Sequence, residues 1–290
     1  MTEPAQTSGS RVSFSRAVRG IRRNPSLLIG AFLVGLVGLC ALLSLVWLPA
    51  DPNASALLER LKGPSLSHAL GTDSYGRDLL ARVLVGSRSA LEVGVIALSL
   101  GLLLGVPLGM VAGYFGGWLD RVFTLLLEAL YAFPTLLLVL LLVTAWGAGL
   151  VPAMVAVGIS AVPVFARIAR AGTLTVRQEA YLEAARALGA PSSRILMRHI
   201  LPNILGPLLV QSSFTLGAAI LIEGALSYLG LGVQPPQASW GNMLREAQSY
   251  LSLSPYPTVF PGFAIVLSVL GFNLLGDGLR DALDRKSRGN

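Results

Sequence analysis

Glu179, Glu183, Arg186, Arg194 and Arg198 are the densest charge in the apolar half of the chain, within EAYLEAARALGAPSSRILMRHILPN. They sit among Ala, Leu, Ile and Met at helical spacing, which places charge along one face of a helix. Residues of these types in that pattern pair with another surface; they do not make or break bonds. Ala184, Ala185 and Ala187 favour helix with almost no bulk, so a second surface can come close. Gly189 supplies a stop and Pro191 suits the first turn of a second helix. Leu201-Pro202 is expected to close that second helix, because proline disfavours helical geometry in the residue before it. The reading is a rigid knuckle of two short helices, able to push or be pushed.

Other chemistry is sparse. The chain has no G-x-x-x-x-G-K-[ST] phosphate loop and no H-E-x-x-H pair, so nucleotide and zinc-hydrolase chemistry find no motif. His68 and His199 are its two histidines and neither has a partner at ligand spacing; His199 is expected to cap or pack at the end of the knuckle. Cys40 stands alone in an apolar run, a small hydrophobe without a disulfide partner. We therefore expect no enzyme, no bound metal and no cofactor in this chain. Acids near or within apolar segments still need weighing, since ionisable groups there are functional candidates. Glu92, Glu223 and Asp277 fall near segment ends, whereas Glu128 lies about a turn and a half inside one. Two readings stay open for Glu128: a proton relay in a coupled carrier, or an acid paired with a basic group at a helix junction.

The elements that must position these residues are set by composition. Of the 290 residues 53% are hydrophobic and 13% charged, against about 25% charged in soluble domains. Mean hydropathy is +0.68, which marks an integral membrane protein. Six apolar stretches are expected to span, at about 26–47, 91–112, 122–143, 151–168, 204–226 and 259–279. The first exceeds the apolar core of a cleaved signal. The fourth is short and holds Pro152 and Pro163, which neighbouring helices can tolerate. The fold class is thus all-α and membrane-embedded, with a tail over 1–25, a polar loop over 48–88 and a charged loop over 169–202.

A net charge of +7 fits basic loops on the cytoplasmic side better than nucleic acid. With the N-terminus inside, sixteen of the 22 Lys and Arg fall on inner segments, so both termini and the 169–202 loop are expected in the cytoplasm. Gly101, Gly105, Gly109 and Gly113 recur every four residues, a stripe that lets a neighbouring helix backbone approach. No internal duplication is visible, so an inverted-repeat carrier gains no support.

EAARALG followed by RHILPN resembles the EAA loop of ABC-importer permeases. Glu183, Ala184, Ala185, Gly189, Leu201 and Pro202 match that pattern, and His199 stands where isoleucine is general. Leu70–Leu91, Ala225–Leu244 and Phe260–Asp284 are similar to segments of the second permease of peptide/nickel importers, so the likeness covers the chain from the first span onward. It departs at Leu125, where arginine is usual, and at Arg285, where proline is usual. The resemblance implies a six-span, type I permease in a bacterial or archaeal cytoplasmic membrane. Implied partners are a second, different permease, two ATPase subunits carrying ATP and Mg, and an extracytoplasmic solute-binding protein. It implies ATPase docking through Glu183, Ala184, Ala185, Gly189, Ile195, Leu196, Leu201 and Pro202, with Leu188, Arg194 and Arg198 adding contact. Glu183 is expected to hold the knuckle together through Arg186 or Arg198. The proline- and tyrosine-containing loop 226–258, with Trp240, is expected to shape the outer vestibule, touch the binding protein, or anchor at the interface. The rival class is an ion- or proton-coupled carrier that works without ATPases.

Overall fold

The computed structural model describes residues 24–288, with side chains through Asp284. Most of the 1–25 tail and the side chain of Arg285 lie outside what is described. Among the described residues the chain is helical and forms no strand. The first helix, α1 (Pro25–Val46), is capped by Asn24, whose side chain accepts from the Leu27 amide. Asn24 Nδ2 also donates to the Gly278 carbonyl at 3.2 Å, tying the start of α1 to the far end of the last helix.

The second span is longer than the apolar run implies. It begins at α2 (Leu79–Leu100), not near residue 91, passes through a π-turn at Gly101–Gly105, and continues as α3 (Val106–Phe115). At 1.5 Å per residue these 37 residues reach about 55 Å, well beyond a bilayer core of roughly 30 Å. Asp78 starts it, its carboxylate accepting from the Ala81 amide at 2.8 Å in the manner of an N-cap.

The third stretch is not one helix. α4 (Gly117–Ala132) and α5 (Thr135–Trp146) meet at an angle of 91°. Pro134 is the cause: it holds Phe133 extended, at φ −76 and ψ 130. The fourth, expected to be short, is the 27-residue α6 (Leu150–Val176), with Pro163 inside it. Its charged C-terminal end persists because Arg170 pairs with Asp120 at 2.5 Å and Arg167 stacks over Tyr131 at 4.0 Å.

α7 (Ala180–Ala187) and α8 (Ser192–Ile195) make the knuckle. Leu201-Pro202 does not end the second helix. α8 runs through a π-turn at Leu196–Ile200 into α9 (Leu201–Tyr228), so Ser192–Tyr228 is one 37-residue span. The wider turn, closed from the Leu201 amide to the Leu196 carbonyl, absorbs a residue that cannot donate. α10 (Trp240–Ala247) and α11 (Tyr256–Arg288) complete the chain. Among the described residues five helices are long and apolar enough to cross a membrane, or six spans are counted if α4 and α5 together make one.

At one end of the bundle, residues 48–78 fold with 229–255 into a cap. Trp240 is buried there, donating from Nε1 to the Val83 carbonyl at 3.0 Å. Its indole lies on Gly86, where a Cβ would come within 2.5 Å of the ring. The knuckle occupies the opposite end.

Candidate functional site

The knuckle is built into the bundle through three side chains. Leu182, Ile195 and Ile200 are each 0% exposed and pack with Val106, Met110, Phe165 and Ile204. Burying one such side chain contributes roughly 1.5–3 kcal/mol, so the hairpin moves with the spans.

Gly189 shapes its turn. The Ala190 amide donates to the Ala185 carbonyl at 3.1 Å and the Gly189 amide to Arg186 at 2.9 Å, the paired bonds of a Schellman end. Gly189 sits at φ +76 with open space where a Cβ would be. A side chain there is opposed by backbone strain alone.

Ile195 differs from expectation. Its side chain faces the core and offers no surface to a partner. The exposed apolar side chains of the hairpin are instead Leu188, at 89%, and Met197, at 61%, while Leu196 is half-buried. Glu183 and Ala184 are exposed and Ala185 half-buried. Glu183 does not brace the hairpin: among the described residues it makes no ion pair, and Arg186 stacks over Tyr114 of α3 at 5.3 Å. The second arm is braced by Asn203, whose amide donates to the His199 carbonyl at 2.6 Å and to the Tyr181 hydroxyl at 3.1 Å. The His199 ring lies 6.0 Å from that of Tyr181. Leu201 is half-buried and Pro202 exposed.

The glycine stripe lies against α6. A Cβ at Gly105 would meet the Val162 carbonyl at 2.6 Å, and one at Gly109 the Ala166 carbonyl at 2.1 Å. Gly101 faces Phe165, and Gly113 faces Arg170 and Thr173. Four successive turns of span two thus touch the helix that leads into the knuckle.

Glu128 is exposed on α4 and borders a cavity of about 270 Å³ with Asp120, Arg121, Thr124, Leu125 and Arg170. Its neighbour Arg170 is committed elsewhere, to both Asp120 oxygens at 2.5 and 2.7 Å. Among the other acids, Glu92 pairs with Arg88 at 2.8 Å, Asp277 is exposed, and Glu223 is buried, accepting from Ser227 Oγ at 2.7 Å.

Residues 105–289 match the family of binding-protein-dependent transport system inner membrane components. The chain is an ABC-importer permease of that family. This permease is 42% identical over 269 residues to the glutathione transport system permease protein of Pectobacterium atrosepticum, covering 92% of the chain and 89% of that relative. It is 39% identical over 272 residues to the dipeptide transport system permease protein of Alkalihalophilus pseudofirmus, covering 94% and 90%. In fold it resembles the inward-facing MetNI methionine ABC transporter, with a TM-score of 0.58 at 20% identity, over 69% of the permease and 95% of that chain.

Sequence reasoning missed a second charged assembly, in the permease's cap. Arg77 Nε donates to Asp73 at 2.6 Å, and Arg77 Nη2 donates to Glu246. Arg82, 1% exposed, lies 3.6 Å from Asp73 and 3.5 Å from Glu246 and donates to the Pro52 carbonyl at 3.2 Å. The alternation of Asp and Arg in GTDSYGRDLLAR was the available signal, but their shared partner, Glu246, is remote in sequence.

Proposed function

We propose that this permease moves peptides or peptide-like small solutes by alternating access, driven by ATPase subunits docked on the hairpin of its 169–202 loop. One observation carries the reading. The hairpin is fused to the spans, by Leu182, Ile195 and Ile200 at one face and by the unbroken helix Ser192–Tyr228. Displacement of its exposed rim therefore displaces α6 and α9, and ATPase closure shifts the balance between span arrangements by its differential contact with them. Leu188 and Met197 supply apolar contact, and exposed Arg194 and Arg198 supply charge complementarity.

ATP and Mg sit on the partner subunits, a second permease completes the passage, and a solute-binding protein delivers at the cap. Both chain ends and the hairpin face the cytoplasm of a bacterial or archaeal cell; the basic hairpin and the Asn24–Gly278 bond support that orientation. The relatives' glutathione and dipeptide names support the solute class.

The test is Gly189→Leu, alone and with Glu183→Lys, in the assembled importer in proteoliposomes. Gly189→Leu forces a left-handed residue at about 1–2 kcal/mol, tilting α7 against α8. Uptake falls at least tenfold while the permease stays folded and inserted. Undiminished uptake with both changes overturns hairpin docking, and vectorial uptake by the permease alone overturns the ATP-driven reading.

A further inference from the structure

We propose that His68 is the ionised pin of a latch that closes the first extramembrane loop, held below the pH at which its ring gives up a proton and released above it. The latch rests on the proposed orientation only in that medium pH reaches the cap.

The geometry itself demands the charge. His68 Nδ1 lies 2.9 Å from Asp78 Oδ2, and Nε2 lies 2.9 Å from Glu59 Oε2. Ionised carboxylates only accept, so an imidazole bonded to both must donate from both nitrogens, which is the cation. The ring is mostly buried and Asp78 almost wholly so, at 17% and 3% side-chain exposure. A neutral ring would leave one carboxylate without its donor, either the nearly dry Asp78 or Glu59 at the exposed rim.

What the pin joins matters. Asp78 is the N-cap of span two, its other oxygen bonded to the Ala81 amide. Glu59 ends the 3₁₀ turn Leu57–Glu59, which also reaches the loop base through the Thr72 hydroxyl, donating to the Glu59 carbonyl, and through backbone bonds, including Leu61 N–H to Asp73 O at 2.9 Å. Next to that turn Arg60 lies over the Tyr250 ring at 5.7 Å, so the latch also holds the two halves of the cap in register. The charged groups about the ring are Asp78 from span two, Glu59 from the turn, and Lys62, which bonds Glu59 at 3.1 Å. Arg77, beside Asp78 in the chain, is turned to Asp73 and Glu246.

Hydrogen bonds to Asp78 and then to Glu59 raise the His68 pKa above its ordinary 6.5. For a raised base, the stabilisation is complete below the unfolded pKa and is lost as pH climbs through the folded one. The cap is therefore latched below 6.5 and loosens as pH climbs from there through the raised value.

The test uses the full-length chain, labelled with ¹⁵N-histidine, in lipid nanodiscs. With two histidines in the sequence, His199→Gln leaves His68 as the sole ring signal. Both ring nitrogens should be protonated at pH 6, with a midpoint above 6.5. Asp78→Asn, which preserves the helix cap, should lower that midpoint, and Glu59→Gln should lower it less. Amide exchange across 59–78, corrected for intrinsic base catalysis, should speed by up to about tenfold per pH unit between 6.5 and the midpoint and level off above it, and His68→Gln should flatten that slope. A singly protonated ring at pH 6, a midpoint unmoved by Asp78→Asn, or exchange that follows the intrinsic rate alone overturns the latch. None of these readouts depends on transport, so their failure is separable from failure of the importer reading.

Discussion

The hairpin and the cap sit at opposite ends of the same long helices and are attached by opposite chemistry. Tyr114, near the C-terminal end of span two, carries Arg186 of the hairpin on its ring; Arg82, near its N-terminal end, is locked into the cap. The hairpin is fixed by burial of Leu182, Ile195 and Ile200, a non-directional force indifferent to pH. The cap is fixed by Asp73, Arg77, Arg82 and Glu246 and by the His68 bridge, which depend on geometry and protonation. A hairpin so attached transmits displacement whole, whereas the cap is held by contacts that one proton or one lost partner can open.

Breaking the cap's charge cluster gives the largest effect. Arg82→Met keeps the apolar stem but leaves Asp73 and Glu246 sharing Arg77 alone. Removing one member of a buried ion pair costs roughly 3–5 kcal/mol, and here the loss falls on the cap. Hydrogen exchange should show residues 48–78 and 240–247 opening while the hairpin's protection holds. Equal loss at both ends would mean that the two are not separately secured.

The converse change is Ile195→Ala. It removes a wholly buried side chain at a cost of roughly 2–5 kcal/mol, loosening the hairpin and sparing the cap. Uptake should drop while ATP hydrolysis by the assembled importer persists, because force then moves α8 without moving α6. Retained coupling with a destabilised hairpin would place the transmitting contact elsewhere.

The two ends also differed in how far the sequence disclosed them. Gly189 and Pro191 punctuate the hairpin locally, so its turn was readable from spacing. Its continuation was not: the proline rule at Leu201-Pro202 predicts a stop, and a π-turn with Asn203 bonded back to His199 removes the need for one. The bend at Phe133–Pro134 is the opposite error, since a local proline signal was present and an unbroken apolar run overrode it. In the cap, Asp78 before LLARVLV is an N-cap signal, but Arg82 and Arg88 made the segment read as loop. Arg82 is compatible with a buried helix only because Glu246, from α10, lies against it. That apolar spans exist follows from local pattern; where they begin and end, and which charges are neutralised across the fold, does not.

The smallest effect separates two titratable candidates, Glu128 and His68. A proton relay needs an acid shielded from water and bonded into a chain of donors. Glu128 is exposed, the Arg170 guanidinium is engaged by both Asp120 oxygens, and an exposed pairing is worth about 0–1 kcal/mol. Glu128→Gln should therefore leave both the rate of uptake and its pH profile within error of the unaltered importer, measured in proteoliposomes at several internal pH values. If instead the profile flattens, Glu128 carries a proton through the membrane, and the coupled-carrier reading gains the relay it needs.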